Sequence, residues 1–198
     1  MLIGITGQIG AGKSTAAKVM EQMGAALIDA DKIGRDVVEN NSKLLKQLAH
    51  AFGGDILASR GKLNRKRTAQ IAFSSSSNKQ KLDRLVHPFL LRELKKQIKN
   101  LSKKYNVIVI DAALLLDWRL DKLIDQVLVI HSGEEQRFQR LLKRGISPTD
   151  AKSRQRMQFS NSEYKKRADK VILNNTTIAA LKTKVTNWAK PLFVHTNN

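Results

Sequence analysis

Five short apolar runs punctuate this chain of 198 residues: Leu2–Ile5, Ala25–Ile28, Val107–Ile110, Val127–Ile130 and Val171–Leu173. Turn-forming or charged residues bound each run, and none alternates strictly, which is the pattern of strands buried on both faces. Helical spacing fills most of the gaps. Ala16, Val19, Met20 and Met23 fall at i, i+3, i+4 and i+7, predicting a helix that Gly24 stops. Ser132 with Glu135 reads as a capping box opening a helix that runs to Arg144 and is closed by Gly145. Ser147-Pro148-Thr149-Asp150 reads as the next helix start, with proline at the first position. Ile178, Leu181, Val185 and Trp188 keep one apolar face, expected to pack on the sheet. Strands alternating with helices predict an α/β fold with a mainly parallel sheet.

Residues 32–104 break the alternation. They read as mostly helical, interrupted at Gly53-Gly54, Gly61, the Ser74–Ser77 run and Pro88. An insertion here, after the second strand, is a natural substrate-binding part of a single domain. The expected division is a core of residues 1–31, 105–136 and 168–198, a helical acceptor-binding part at about 32–104, and a lid at about 137–167.

Composition narrows the function. No apolar stretch approaches the ~20 residues of a membrane span, and no leader pattern opens the chain. Zero cysteines exclude disulfides and thiolate metal sites, so the expected compartment is the cytoplasm. Thirty-six Lys and Arg against 17 Asp and Glu give a net charge of +19, a balance that attracts phosphorylated ligands or nucleic acid. Two segments concentrate it: nine basic and two acidic residues from Lys79 to Lys104, ten and two from Arg137 to Arg167. No RNP-like, helix-turn-helix or zinc pattern is visible, and two Trp and two Tyr offer little base stacking, so nucleic acid is not the expected partner. A monomer or weak homo-oligomer is expected.

The residues Gly7-Gln8-Ile9-Gly10-Ala11-Gly12-Lys13-Ser14 match G-x-x-x-x-G-K-[ST], between a strand and a helix as a phosphate-binding loop requires. Glycines let the backbone close on an anion, and the helix start supplies N–H groups and a positive dipole end. Lys13 is placed for β- and γ-phosphates, and the Ser14 hydroxyl for Mg²⁺. Asp29-Ala30-Asp31 follows the second strand, where a carboxylate can take a proton from an attacking hydroxyl or hold a metal through water. Asp111 directly follows the third strand, Val107–Ile110, the place of a metal-linked carboxylate. His87-Pro88 lies beside Arg84 and Arg92. Arg140, Arg144, Arg154 and Arg156 could close over transferring phosphates and exclude water. By themselves these features fit several kinases of this fold, including nucleoside and nucleotide kinases, and an NTPase that binds nucleic acid.

Taken in order, the pieces resemble the dephospho-coenzyme A kinase family. Ile3 through Thr15 is similar to its phosphate-loop signature, and Ile28-Asp29-Ala30-Asp31-Lys32-Ile33-Gly34-Arg35 to its acidic acceptor motif. Phe52-Gly53, Gly61-Lys62-Leu63-Asn64-Arg65, Ile71-Ala72-Phe73 and Val86-His87-Pro88 follow in sequence. Arg140, Arg144, Arg154 and Gln158 match the lid pattern, and Ala168 through Asn175 the closing strand. The resemblance implies a P-loop NTPase-type sheet flanked by helices, a helical substrate-binding insertion and an arginine-rich lid. It implies ATP-dependent phosphorylation of the ribose 3′-hydroxyl of dephospho-CoA, with Mg²⁺. Asp31 would be the base, with Lys13 and Arg144 completing the catalytic set. Gly10, Ala11, Gly12, Lys13, Ser14, Thr15, Arg140, Arg144, Arg154 and Asn174 would hold ATP, and Ser14 the metal. Asp31, Arg35, His87, Asp111 and Leu114 would line the acceptor side. Two stretches depart from the family. Asp111-Ala112-Ala113-Leu114-Leu115-Leu116-Asp117 stands where Asp-x-Pro-Leu-Leu-x-Glu is common, and Gln8 and Ala11 stand where Gly and Ser are usual.

Overall fold

The computed structural model describes every residue except Ser59, Arg60, Phe73, Asp117, Met157 and residues 195–198, and all side chains of the rest but those of Arg156 and Val194. Phe73, Asp117 and the Arg156 side chain, named above, lie outside the described residues. Two compact units are present, Met1–Asp29 with Asn100–Asn198, and Ala30–Lys99.

The first unit is built on five strands, β1 (Leu2–Thr6), β2 (Ala26–Asp29), β3 (Ile108–Asp111), β4 (Gln126–His131) and β5 (Lys170–Leu173). They form one sheet in the order β2-β3-β1-β4-β5, and every pairing is parallel. All five expected strands are present, with boundaries displaced by one residue. Parallel pairing demands crossovers, which α1 (Lys13–Gln22) and the later helices supply. Strand residues alternate in direction, so Ile3 and Ile5 enter a cluster with Val19 and Met20 of α1 and Leu181 and Val185 of α9 (Ile178–Val194). Gly4 faces the other way. A Cβ there would come within 2.5 Å of both Leu115 and Ile124, so the apolar segment after β3 fills the space a side chain would need. Ile178 departs from expectation: it is 66% exposed at the start of α9, while Leu181 and Val185 are buried.

The second unit is helical: α2 (Ala30–Asn40), α3 (Ser42–Phe52), α4 (Arg65–Ala72) and most of α5 (Ser76–Leu101). Asn41 caps α3, its side chain accepting from Leu44 N at 2.9 Å. Val38, Leu44, Leu48 and Ile56 form its buried cluster, with Leu82, Leu85, Val86 and Phe89 of α5 packed against them. Pro88 does not interrupt this helix, contrary to the sequence reading. A proline removes one hydrogen bond and crowds the preceding turn, at ~3 kcal/mol. Here the turns beyond it are anchored by the fully buried Leu90 and Leu94, and α5 continues through.

Three further helices complete the first unit: α6 (Glu134–Leu142), α7 (Pro148–Arg156) and α8 (Asn161–Lys166). The capping box expected at Ser132 and Glu135 is absent. Gly133 is the cap residue of α6, with no side-chain cap bond, because the buried Ser132 hydroxyl is directed to Asn174 O at 2.8 Å. A capping box does form at Ser160 and Glu163, opening α8. Hydrogen bonds from the Ser160 backbone and hydroxyl hold the Glu163 carboxyl below the usual range. No described helix is long and apolar enough to cross a membrane.

Candidate active site

The phosphate-loop motif lies between the carboxyl end of β1 and α1, in the centre of the sheet. Strand order reverses on either side of β1, the position at which open α/β sheets bind ligands. Gly7, Gly10 and Gly12 have φ of 137°, 78° and 107°, which L side chains rarely adopt. None of the three has room either: a Cβ on Gly7 would collide with the Ile130 carbonyl. A Cβ on Gly10 would meet the Arg137 carbonyl at 2.9 Å, and one on Gly12 would meet the Asn174 amide at 2.5 Å. Gly12 caps α1 without a side-chain bond, and no acidic residue occupies the first turn. The positive end of α1 is therefore not neutralised by its own sequence.

Lys13 within the motif and side chains from remote segments hold the loop's carbonyls. Lys13 Nζ donates to Gly7 O at 2.9 Å and Gln8 O at 3.3 Å. Arg140 donates to Gly10 O at 3.2 Å, and Asn174 Nδ2 to Ala11 O at 2.7 Å. Ile9 N donates to Gln158 Oε1 at 2.7 Å, and Gln8 Nε2 to Phe159 O at 3.0 Å. Gln8, one of the two departures in this loop, thus ties it to residue 159, a bond a glycine could not make. Ala11, the other, is fully buried. Burial pulls the guanidinium of Arg140 below its ordinary pKa, and nearby Arg144 adds to the effect. The buried Arg137 is lowered by desolvation too, against opposing fields from Glu134 and Tyr164. Its Nε donates to Ser132 O at 3.1 Å, while Nη1 is buried with no hydrogen-bond partner.

The remaining sequence-predicted residues divide between the two units. Asp111 ends β3, in register between Ile5 of β1 and Asp29 of β2. Leu114 is half-buried in the segment that follows, Ser14 is exposed in the first turn of α1, and Thr15 N donates to Gly12 O at 3.1 Å. Arg144, just past α6, and Arg154 of α7 are exposed. Asp31 and Arg35 lie on α2 and His87 on α5, all in the helical unit. Spacing of four places Asp31 and Arg35 on one face of α2. His87 Nε2 is buried without a hydrogen-bond partner. Two clefts of the helical unit, of about 340 and 440 Å³, are lined by none of these three. Sequence reasoning missed Ser132 as a member of the loop's support; its only signal, Ser-x-x-Glu, pointed to a cap. No cluster of three His, Cys, Asp or Glu side chains suited to a metal occurs among the described residues.

A parallel sheet with a glycine-bounded phosphate loop at its centre defines a P-loop kinase-type fold. In agreement, a shikimate kinase from Acinetobacter baumannii superposes with a TM-score of 0.53 over 100% of this chain and 95% of its own, at 13% identity. The particular family follows from closer relatives. The dephospho-CoA kinase family model matches residues 1–180. The dephospho-CoA kinase of Carboxydothermus hydrogenoformans is 34% identical over 93% of this chain and 90% of its own. A solved dephospho-CoA kinase from Campylobacter jejuni superposes with a TM-score of 0.71 at 25% identity, covering 96% of each chain. The chain belongs to the dephospho-CoA kinase family and is a phosphotransferase.

Proposed function

We propose that this protein transfers the γ-phosphoryl group of ATP to the ribose 3′-hydroxyl of dephospho-CoA, giving CoA and ADP. The observation that carries the reading is the phosphate loop itself, its carbonyls held by its own Lys13 and, from outside, by Arg140 and Asn174. A planar peptide points its N–H opposite its C=O, so anchoring Ala11 O aims the Gly12 N–H away from Asn174. Phosphoryl transfer asks little covalent chemistry of a protein; placement and charge neutralisation dominate. Lys13 takes up the β- and γ-phosphates, exchanging its loop carbonyls for phosphate oxygens. Asp31 receives the proton of the attacking hydroxyl. Arg35 and His87, with Asp111 and Leu114, face the acceptor, and Arg144 and Arg154 of the lid neutralise charge on ATP and exclude water.

The donor set suits Mg²⁺, which keeps most of its waters and binds through substrate phosphates and few protein oxygens. Ser14, exposed in the first turn of α1, would hold it, and when bound the ion would neutralise charge developing on the phosphates. ATP-dependent conversion of dephospho-CoA to CoA, followed by chromatography, tests the reading. Lys13→Ala is expected to lower kcat by ~10² or more, the scale of losing a preorganised charge. Near-normal turnover in that variant, or no CoA from the wild type, removes the assignment.

A further inference from the structure

Ser132 has no place in the scheme above, yet it is fully buried and multiply bonded. Its hydroxyl donates to Asn174 O at 2.8 Å and accepts from Arg140 Nη1 at 3.1 Å. Its carbonyl accepts from Arg137 Nε at 3.1 Å. Arg140 Nη2 also donates to Asn174 O, at 2.8 Å. The two residues that Ser132 joins both reach carbonyls of the phosphate loop from outside: Arg140 to Gly10 O and Asn174 to Ala11 O. Backbone bonds stitch the same place, Asn174 N to His131 O at 2.7 Å, and Gly133 N donates to the Asn175 side chain at 3.0 Å.

From this geometry we infer that Ser132 is a positioning residue for ATP. It fixes Arg140 and Asn174 so that both loop carbonyls stay anchored and the loop keeps its phosphate-ready shape. Arg140 then acts chiefly as a strut, since its two terminal nitrogens meet three acceptors: Gly10 O, Ser132 Oγ and Asn174 O. A flexible glycine loop carries a large ordering cost when it closes on an anion. Rigid anchors meet that cost at folding, leaving more of the phosphate interaction as affinity. The inference rests on the proposed kinase reaction and adds a residue to it.

The test is steady-state kinetics with ATP and dephospho-CoA varied separately, beside calorimetric titration with ATP, on the whole chain. Ser132→Ala leaves the Asn174 and Arg140 groups without their shared partner, a loss that typically changes an equilibrium by about tenfold. The expected result is a rise of about tenfold in KM and Kd for ATP, with KM for dephospho-CoA within about twofold of wild type. Ser132→Thr, which keeps the hydroxyl, is expected to restore ATP affinity. A merely structural serine would lower Tm and leave both KM values in place; that result, or an equal rise in both, overturns the inference. Should Ser132→Ala fail to fold, Arg140→Lys decides. It keeps the charge but not the planar fork, so the positioning role requires the same selective rise for ATP, and a fall in kcat alone overturns it. Lys13→Ala run in parallel separates the two levels. If it too binds and uses ATP normally, the phosphate-loop reading fails; if only Ser132→Ala is silent, the inference alone fails.

Discussion

The two compact units are held by bonds of different reach. In the sheet unit, the phosphate loop is fixed by partners 149, 130 and 163 residues away: Gln158 on Ile9, Arg140 on Gly10 and Asn174 on Ala11. In the helical unit, three side-chain bonds that join its helices are local by comparison. Lys81 reaches Ala51 O across 30 residues, Arg65 pairs with Glu39 across 26, and Arg67 with Asp55 across 12. The Arg65 and Arg67 pairs are about half exposed, a setting in which an ion pair contributes little. The lesson is that the phosphate loop is built by distant parts of the sheet unit and cannot loosen without them. The helical unit has its own apolar cluster, so its order can change locally, as the proposed acceptor-binding role would require.

The largest effect expected tests whether that helical unit nevertheless carries chemistry. Asp31→Asn removes the proposed base, and kcat should fall ~10²–10⁴-fold, the range for general acid–base groups. ATP binding, proposed for the phosphate loop of the sheet unit, should change little in calorimetry. If Asp29→Asn cripples turnover and Asp31→Asn is mild, the base belongs to the end of β2 and the helical unit only binds.

Next in size is a test of independence. Leu48 is fully buried in the helical unit's cluster, and Leu48→Ala should cost about 2–5 kcal/mol. If the unit opens on its own, amide exchange will speed up through α3 and α5 while β1 and β4 keep wild-type protection. Uniform acceleration across both units would mean one cooperative fold and would erase the contrast drawn here.

The same contrast explains what the sequence disclosed. Strands were legible because β1, β3 and β4 are buried on both faces and so read as unbroken apolar runs, in error by only a residue at the ends. The phosphate loop was legible because its geometry needs glycine at fixed places, and backbone demand writes itself into residue identity. Long-range partnership does not. Ser132-Gly133-Glu134-Glu135 and Ser160-Asn161-Ser162-Glu163 carry the same local signal, yet only the second forms a capping box. At Ser132 a partner 42 residues away claims the hydroxyl. Gln8 carries no local sign of its role for the same reason: its partner, Phe159 O, lies 151 residues on. Pro88 failed in the other direction, a strong local breaker overridden by burial of the residues after it.

The smallest effect concerns the positive charge gathered at the sheet unit's carboxyl edge. His131 ends β4, and its pKa lies below 6.5 because burial disfavours the cation, with Lys165 and Arg137 adding repulsion. Well above pH 6.5 the side chain is neutral whether the chain is folded or not, and there it contributes nothing to the pH dependence. As pH falls through 6.5, the unfolded chain binds a proton that the folded state takes up only at lower pH. Stability therefore declines with falling pH until the folded histidine titrates. Urea unfolding at pH 7.5 and 5.5 should show the wild type losing stability on acidification and His131→Gln losing less. Equal losses in the two proteins would place the pH sensitivity elsewhere, and the crowding of Arg137, Lys165 and His131 would carry no thermodynamic weight in this range.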